Sequence, residues 1–471
     1  MAALSLDRTA AGSLHAQLAA QLRAMILARR IAPGARLPST RALAQELGIA
    51  RATAVLAMEQ LASEGYVAGR RGAGVYVPAS LPEQVLQVAA PAPLRPRAAT
   101  PGARRPVPFM PGAVDPALFP QRAWARLLQR SWREPAALLG PADPFGWPAL
   151  RAAIARHLAE WRGLAADPAR ILVTAGTVDA LDVVAAVAFR PGDAVLVEDP
   201  GYAPVRHGLV RAGLAVAPVP VDGDGFDLEA GLRLRPDARG AFLTPSRQFP
   251  LGMALPLARR LVLLDWAQAR DAFVVEDDFD SEYRYAGAPL PALGGLDRHG
   301  RTIYLGSFSK VLAPALRLGF ALLPEALVGA AHDHLRRRGP LASPLAQPAL
   351  AAFLDAGDYA AHIRRTRRVY ARRLAALLEA LRPLDGLLEP APAGAGLHVV
   401  AWLGPGLAGL GDRAVAAAAE AAGIVAGPLA DHHAGAPGRP GLILGFSGFP
   451  EDRLQAAAAT LGRALRSPMR R

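Results

Sequence analysis

The first 65 residues carry apolar positions at the spacing of short amphipathic helices. Residues 13–29 repeat their apolar side chains mostly at every fourth position, which predicts a helix with one buried face. After a Pro-Gly turn, Ser39 is a suitable N-cap for a second helix that ends at Gly48, because a serine hydroxyl accepts a bond from an unpaired backbone N–H and glycine readily adopts the C-cap conformation. A third helix is predicted over residues 51–64.

Two short β-prone runs follow the third helix. They flank an Arg-Arg-Gly-Ala-Gly turn within YVAGRRGAGVYV, the pattern of a hairpin. Three short helices and a basic hairpin are typical of a winged helix-turn-helix module, in which the N-terminal end of the third helix enters the major groove and the hairpin contacts the backbone or the minor groove. The pattern therefore predicts a DNA-binding domain over residues 1–77.

The pattern changes from Phe109 onward, where helix-like segments alternate with short continuous apolar runs. The runs are RILVTAG, DAVLVEDP, GAFLTP, AFVVEDD and RTIYLGS. Strands without polar alternation are typical of a sheet covered on both faces, so residues 108–471 are predicted to form an α/β domain with a mostly parallel sheet. The segment between the two domains, residues 78–107, is rich in Pro and Ala without a period and predicts a semi-rigid linker.

The positive charge of this multidomain chain is concentrated near its N-terminus. Of the net charge of +13, the first 107 residues hold +8, from thirteen arginines and five acidic residues. A polyanion partner is indicated, with solvated surface charge as the alternative interpretation. The absence of cysteine excludes disulfides and thiolate metal sites, and no apolar run is long enough to span a bilayer, so we expect a cytoplasmic protein without a membrane partner.

Lys310 is the only lysine among the 53 basic residues. Arg can replace Lys in a surface charge or an ion pair, but it cannot form a Schiff base, because its guanidinium stays protonated. Lys310 is therefore the candidate Schiff-base residue. Its segment GSFSKVLAPALRLG also supplies two hydroxyls and a guanidinium, which are phosphate ligands, from Ser307, Ser309 and Arg317.

Other predicted strand ends complete the requirements of pyridoxal phosphate (PLP). Gly176 and Thr177 begin a helix whose unpaired N–H groups suit a phosphate. Tyr202 can stack on a flat ring, and Asp277, followed by Asp278, can hold a protonated ring nitrogen. Each feature alone has a structural alternative in a turn, a packed aromatic or a solvated acidic run. Together with Lys310, they favour PLP as the cofactor.

The N-terminal segments LPSTRALAQELGIARATAVLAMEQLASEGYV and GAGVYV resemble the GntR-type winged-helix domain of bacterial regulators. The resemblance implies contacts with double-stranded operator DNA from six positions, namely Ser39, Arg41, Arg51, Thr53, Arg71 and Gly72. One departure is Ala50, where the family usually has a serine that caps the recognition helix. Loss of a cap typically costs about 0.5–2 kcal/mol.

The C-terminal segments FMPGAVDPALFP, DPFGWPALRAAIARHL, TPSRQFPLG, EDDFDSEYRY and GSFSKVLAPALRLGF resemble the fold-type-I aminotransferase domain of MocR-type regulators. This resemblance implies a large sheet domain, a small C-terminal α+β domain from about residue 345, and a head-to-tail homodimer with each DNA-binding module over the other subunit. It also implies PLP on Lys310, Asp277 at the pyridine nitrogen, and Tyr202 stacked on the ring. The implied phosphate contacts are Gly176, Thr177, Ser307, Ser309 and Arg317.

Five positions depart from that family. Phe279 replaces the usual Tyr near the cofactor, Val178 replaces a Gln after the phosphate turn, and Arg247 replaces a His. Pro141 stands where a Tyr of the partner subunit is usual, and Ile443 stands where an Arg usually clamps a substrate carboxylate. These losses weaken the case for transamination, which needs a gripped substrate, more than the case for Schiff-base formation.

Three functions follow from these patterns. The leading hypothesis is a DNA-binding transcriptional regulator that binds PLP through Lys310 and senses PLP, an amine or amino-acid effector, or both. The second is a PLP-dependent aminotransferase with an appended DNA-binding module. The third is a regulator whose aminotransferase-like domain holds no cofactor, which the retained Lys310 disfavours.

Overall fold

The computed structural model describes residues 4–8, 12–70, 74–79, 81, 106–287, 290–435 and 438–466. The chain divides into two compact units, Met1–Arg104 and Arg105–Arg471. Most of the predicted linker lies outside the described residues, so the boundaries at residues 77 and 107 stay predictions.

The first unit has the predicted three helices and hairpin. They are α1 (Leu14–Leu27), α2 (Thr40–Leu47), α3 (Arg51–Ser63), β1 (Ala68–Arg70) and β2 (Gly74–Tyr76), with the two strands antiparallel. The Ser39 hydroxyl caps α2 by accepting a bond of 3.2 Å from the backbone N–H of Ala42, and Gly48 ends the helix with a φ of 61°. Helix α3 starts without a side-chain cap, as expected from Ala50.

The core of the first unit is built from leucines and small residues. Leu18 and Leu22 of α1, Leu43 of α2 and Leu61 of α3 are fully buried. Ala54 and Ala57 of α3 are also fully buried in this core, while Val55 is only half-buried. Alanine at these two positions leaves room for α1 and α2 to pack against α3.

The second unit is organised around an eight-stranded sheet in the order β3-β10-β9-β8-β7-β4-β5-β6. Its strands are β3 (Ile171–Thr174), β4 (Ala194–Asp199), β5 (Ala215–Asp222), β6 (Gly225–Phe226), β7 (Gly240–Leu243), β8 (Phe273–Asp278), β9 (Thr302–Ser307) and β10 (Gly319–Leu322). The pairs β5–β4, β4–β7, β7–β8 and β8–β9 are parallel. Strand β10 is antiparallel to both β3 and β9, and β6 is antiparallel to β5. The prediction of a mostly parallel sheet is confirmed.

Strand β10 was not predicted from the sequence. A parallel strand needs a long crossover connection, whereas residues 308–318 between β9 and β10 contain only the 3-10 turn Pro314–Leu316. Because the connection is this short, β10 can only return antiparallel. The same short return carries Lys310 and Arg317.

Helices cover both faces of the sheet. They are α4 (Gln121–Ser131), α5 (Pro135–Leu139), α6 (Pro148–Arg162), α7 (Thr177–Ala188), α8 (Ala203–Arg211), α9 (Leu228–Leu234), α10 (Leu257–Ala269), α11 (Glu325–Arg338) and α12 (Gln347–Asp355). Ile171 and Val173 of β3 belong to the core formed with α6 and α12, whereas Leu172 belongs to the core formed with α7 and α11. Alternate residues of one strand thus meet different helix layers, which explains its continuous apolar sequence.

A second, four-stranded antiparallel sheet lies in the C-terminal part, in the order β11-β12-β14-β13. Its strands and the nearby helices are α13 (Asp358–Leu381), β11 (Leu388–Pro390), β12 (His398–Leu403), α14 (Pro405–Ala408), α15 (Asp412–Ala421), β13 (Gly427–Pro428), β14 (Gly441–Gly445) and α16 (Glu451–Arg466). Phe109 pairs with Gly445, so the start of the second unit is attached to this sheet. The expected small α+β domain is present, and its start near residue 345 stays a prediction.

Candidate functional site

Two helix starts in the first unit carry unpaired cations, Arg41 in the first turn of α2 and Arg51 in the first turn of α3. Arg41 and Arg51 are exposed, and their guanidiniums make no hydrogen bond or ion pair with the described residues, while Thr53 is half-buried in the first turn of α3. Arg23, in contrast, donates to both carboxylate oxygens of Glu64, at 2.7 and 2.9 Å. The guanidiniums of Arg41 and Arg51 are therefore available to an anionic partner.

The hairpin of the first unit is described except for its turn. Arg71 and Gly72 lie outside the described residues, so their predicted DNA contacts stay predictions. Arg36, which was not predicted as a site residue, pairs with Tyr76 of the hairpin, and a Cβ on Gly74 would lie 2.9 Å from its Nε. The sequence placed Arg36 in an interhelical loop, and only the fold brings its cation to the hairpin.

In the second unit, the predicted site residues gather at the carboxyl ends of the parallel strands. Thr174 of β3, Gly319 of β10 and Ser307 of β9 lie side by side in register, and Asp277 of β8 is paired with Leu305 of β9. Gly176 and Thr177 follow β3, and Tyr202 follows β4. Parallel strands end at one edge of a sheet, so residues more than 100 positions apart meet there.

Lys310 is half-buried at this edge and contacts the start of the second unit. Its Nζ donates to the carbonyl oxygen of Gly112 at 3.3 Å. Gly112 has a φ of 73°, and a Cβ there would lie 2.6 Å from Nζ, so a side chain at this position would displace the amine. Burial lowers the pKa of Lys310, and the nearby carboxylates of Asp280 and Asp277 oppose that shift.

Asp277 and Asp278 have different surroundings. Oδ1 of Asp277 is buried and has no hydrogen-bond partner among the described residues. Burial raises the pKa of Asp277 to about 7, helped by Asp278 and Asp280 and opposed by Lys310. Asp278 instead forms an ion pair with Arg162, with 2.7 Å between Oδ2 and Nε, and its Oδ2 accepts from the hydroxyl of Tyr304 at 2.6 Å. Consecutive strand residues face opposite sides of a sheet, so Asp278 serves a buried ion pair.

A group of polar and cationic residues lies beside Lys310. Gly176 has a φ of 103° and open space around its α-carbon. It precedes α7, whose first N–H groups lack intrahelical acceptors. The Ser307 hydroxyl accepts from the N–H of Ser309 at 3.2 Å. Arg317 is exposed, and its guanidinium has no partner among the described residues, leaving it available to an anion.

Tyr202 connects this group to Asp277. Burial raises the pKa of Tyr202, with Asp277 adding to the shift and Arg317 opposing it. These electrostatic effects fall off with distance. The Tyr202 side chain is 41% exposed and follows β4, at the edge of the sheet where β8 ends at Asp278.

Phe249 lies at the centre of the site and was not identified from the sequence. Its ring centroid lies 5.6, 5.7, 5.4 and 5.1 Å from those of Tyr202, Phe279, His398 and His432, respectively, all with edge-to-face geometry. The side chain of Phe249 has no polar atom, and the only sequence signal for it was its place in TPSRQFPLG, one of the segments that resemble the aminotransferase domain.

Two polar groups anchor the loop that holds Phe249. The N–H of Phe249 donates to Oγ1 of Thr244 at 2.9 Å, and Oγ1 of Thr244 donates to Oε2 of Glu198 at 2.7 Å. Burial raises the pKa of Glu198 to about 8. The ends of β4 and β7 are thereby joined next to Asp277, which acts on Glu198 through its charge.

The positions that depart from the expected pattern are placed as follows. Arg247 donates to Asp280 at 3.1 Å and to the carbonyl oxygen of His398 at 3.1 Å. Ile443 is fully buried in a small apolar cluster with Val400 and Leu429. Phe279 packs its ring against Phe249, and Val178 is exposed as the second residue of α7. Pro141 lines a cavity of about 360 Å³ beside Trp147.

Within the described ranges, no group of three or more His, Asp or Glu side chains is arranged to hold a metal ion. In the same part of the chain, none of the helices combines the length and the apolar character needed to cross a bilayer.

Both units match known families. Residues 14–77 match the gntR family of bacterial regulatory proteins. Residues 120–406 match the aminotransferase class I and II family. The chain is 37% identical to the probable rhizopine catabolism regulatory protein MocR of Rhizobium meliloti, over 98% of this chain and 95% of the relative. It is 33% identical to the pyridoxine biosynthesis transcriptional regulator PdxR of Corynebacterium glutamicum, over 96% of both chains.

A solved structure extends the similarity to the second unit. LysN, the alpha-aminoadipate aminotransferase of Thermus thermophilus, complexed with N-(5'-phosphopyridoxyl)-L-leucine, is 31% identical and superposes with a TM-score of 0.68. The match covers 77% of this chain and 92% of that one. The fold class predicted from the sequence is confirmed for both units.

Proposed function

Because the chain belongs to the MocR-type transcriptional regulators, in which a gntR-family domain precedes an aminotransferase class I and II domain, we propose that it binds operator DNA through its first unit and PLP through Lys310. The bound cofactor, and an amine effector that competes for it, would be the regulatory signal. A head-to-tail homodimer on two operator half-sites is part of this proposal.

The observation that carries the cofactor proposal is the pairing of one lysine with one unsatisfied carboxylate. Lys310, half-buried and with a lowered pKa, lies near Asp277, whose buried Oδ1 has no partner among the described residues. A buried acceptor without a donor is costly, and a protonated ring nitrogen would supply the donor. PLP supplies an aldehyde for the amine and an electron-withdrawing ring.

The surrounding residues fit the rest of that cofactor. Arg317, the hydroxyls of Ser307 and Ser309, and the first N–H groups of α7 at Gly176 and Thr177 would hold the phosphate. Tyr202 would lie against the ring. LysN, which shares the fold, has been solved with a phosphopyridoxyl ligand, and this supports the assignment.

Contacts of Lys310 suggest how occupancy would reach the rest of the unit. When its amine is free, it donates to Gly112. Residues near Gly112 are attached to the small sheet, because Ala113 accepts from Ser447 at 2.6 Å and Asp115 pairs with Arg373 at 2.6 Å. A ligand that takes or returns the amine would therefore make or break one link between the site and that sheet.

Turnover as an aminotransferase is the weaker alternative. Such an enzyme needs a cation for the substrate carboxylate, and the expected position is the buried, apolar Ile443. Arg247 is already paired with Asp280. Steady turnover of an amino donor with a keto acid would favour this alternative over the regulator.

The cofactor proposal is tested by absorbance spectroscopy after incubation with PLP and gel filtration. Wild type and Arg337→Ala, which alters an exposed arginine of α11, are expected to retain a cofactor absorbance band. Lys310→Arg is expected to lose the band, because arginine keeps the charge but forms no Schiff base. The same retained spectrum in a folded Lys310→Arg protein would refute cofactor attachment at Lys310.

The DNA proposal is tested on the promoter region of the gene itself. Arg51→Ala is expected to weaken binding by about 1–3 kcal/mol, because an unpaired cation at the start of α3 is lost. Fluorescence anisotropy at fixed salt measures the effect, with Arg337→Ala as the control. Equal affinity for Arg51→Ala and wild type would remove Arg51 from the DNA contacts.

A further inference from the structure

A second cavity lies behind the Lys310 site, and we call it the Arg284 cavity. Its volume is about 140 Å³, and its lining includes Arg247, Leu251, Arg284, Ala391, Ala393 and His398. Within the described residues, neither Asp nor Glu lines it. Cationic groups and short aliphatic side chains therefore surround a small space without a protein anion.

Arg284 is the unbalanced charge of this cavity. Its Nε is buried without an acceptor, and its guanidinium makes no hydrogen bond or ion pair with the described residues. The buried Arg162 and Arg373, in contrast, pair with Asp278 at 2.7 Å and with Asp115 at 2.6 Å, and the buried Arg260 donates to three backbone carbonyl oxygens. The undescribed neighbours in sequence, residues 288–289, are Ala and Pro and bring no acid. Arg284 is half-buried and also lines a cavity that includes Glu160 and Glu282, but neither carboxylate forms an ion pair with it. A partly desolvated cation without a paired counter-charge is disfavoured, which favours an external anion.

Arg247 provides a second, fixed guanidinium. One arm donates to Asp280 and the other donates to the carbonyl oxygen of His398. A Cβ on Gly396 would overlap this guanidinium, so the glycine allows the backbone to approach it. Burial and the charge of Arg247 hold the pKa of His398 well below its ordinary value, so this imidazole is neutral and adds no charge.

We propose that the Arg284 cavity binds a short aliphatic carboxylate. The planar, unpaired guanidinium of Arg284 matches the geometry of a carboxylate, and the apolar side chains of Leu251, Ala391 and Ala393 suit an attached hydrocarbon better than a second anionic oxygen. The volume limits the ligand to a few carbon atoms. Binding here requires neither PLP nor DNA, so the inference goes beyond the proposed function.

A ligand in the Arg284 cavity would nevertheless affect the protonation of Lys310. Arg247 lines the cavity and also neutralises Asp280, the carboxylate with the largest effect on the amine of Lys310. A carboxylate in the cavity would compete with Asp280 for Arg247. Less neutralisation of Asp280 favours the protonated amine, so the two sites are electrostatically coupled.

The test is ligand-observed saturation-transfer NMR with butyrate on the purified full-length protein. Wild type is expected to transfer saturation to butyrate, and Arg284→Gln is expected to bind at least tenfold more weakly, because the unbalanced cation is removed. Arg337→Gln, on the exposed face of α11, is the matched control and is expected to bind as wild type does. Thermal unfolding of both variants establishes that they are folded.

Two further measurements make the outcome decisive. Inorganic phosphate is expected to displace butyrate poorly, and displacement at equal concentration would overturn the assignment to a carboxylate. Lys310→Arg is expected to bind butyrate normally even if it retains no PLP, which separates this inference from the cofactor proposal. Equal butyrate binding by folded Arg284→Gln and wild type would overturn the Arg284 cavity as the site.

Discussion

Two sides of the Lys310 site differ in whether their polar groups are already paired. On the phosphate side, Arg317 has no partner among the described residues and the start of α7 is open at Gly176. On the side where an enzyme would hold its substrate, Arg247 is paired with Asp280 and Ile443 is enclosed by apolar residues. The described residues thus offer unpaired groups for a phosphate, but no cation for a substrate carboxylate at position 443.

This difference separates holding a cofactor from turning over a substrate. A guanidinium that is paired within the fold must lose that pairing before it grips a ligand, and the loss offsets most of the gain. An uncommitted guanidinium gives up only water. The phosphate side is therefore ready to bind, whereas the substrate side would have to be rebuilt, as suits a regulator that retains its ligand.

The largest expected effect comes from placing an arginine on the substrate side. Ile443→Arg restores the residue that enzymes of this fold use, but it puts a guanidinium into the cluster of Val400 and Leu429. An uncompensated buried charge is expected to lower the free energy of unfolding by about 3–5 kcal/mol. Urea denaturation followed by circular dichroism measures the change.

Ile443→Leu is the matched control and is expected to cost less than about 1.5 kcal/mol, since volume and polarity are kept. If Ile443→Arg were as stable as Ile443→Leu and turned over an amino acid with a keto acid, the substrate side would be open after all. The contrast between the two sides would then be wrong.

The strands and helices were largely predictable because their signals are local. Continuous apolar runs identified β3, β4, β7, β8 and β9, and capping residues identified α2. Strand β10 was not predictable, because its direction depends on the length of the connection from β9. The role of Lys310 stays a prediction, which rests on its being the only lysine among 53 basic residues.

The site was only partly predictable, because several contacts exist in three dimensions alone. The residue types alone offered both Asp277 and Asp278, and the family resemblance selected Asp277. The structure adds that Asp278 is paired with Arg162, a contact that the sequence did not indicate. Gly112 is 198 residues away from Lys310 along the chain, so no spacing rule could connect them. Phe249 carries no polar atom in its side chain and gave no chemical signal.

A smaller effect with two opposite signs is expected for Asp277→Asn. Burial raises the pKa of Asp277 to about 7 in the cofactor-free protein, against about 3.9 in an unfolded chain. The folded state therefore binds this proton more tightly, and its contribution to stability is complete below about pH 4 and is lost as the pH rises to about 7. Asparagine removes that loss, so the variant is expected to be more stable at pH 8, by about 1–3 kcal/mol.

Cofactor binding should change in the other direction. Without the carboxylate, the ring nitrogen loses a charge-assisted hydrogen bond, and the affinity for PLP is expected to fall by about 1.5–3 kcal/mol. Denaturation from pH 4 to pH 8 and a PLP titration measure the two effects, with Asp265→Asn as the control, because Asp265 is exposed on α10 and has no ion-pair partner among the described residues. Reduced stability of Asp277→Asn at pH 8, or unchanged PLP affinity, would show that Asp277 is a structural carboxylate. Oδ1 of Asp277 would then contribute to the folded protein itself and not to cofactor binding. A carboxylate that serves the cofactor stabilises the protein only when the cofactor is bound.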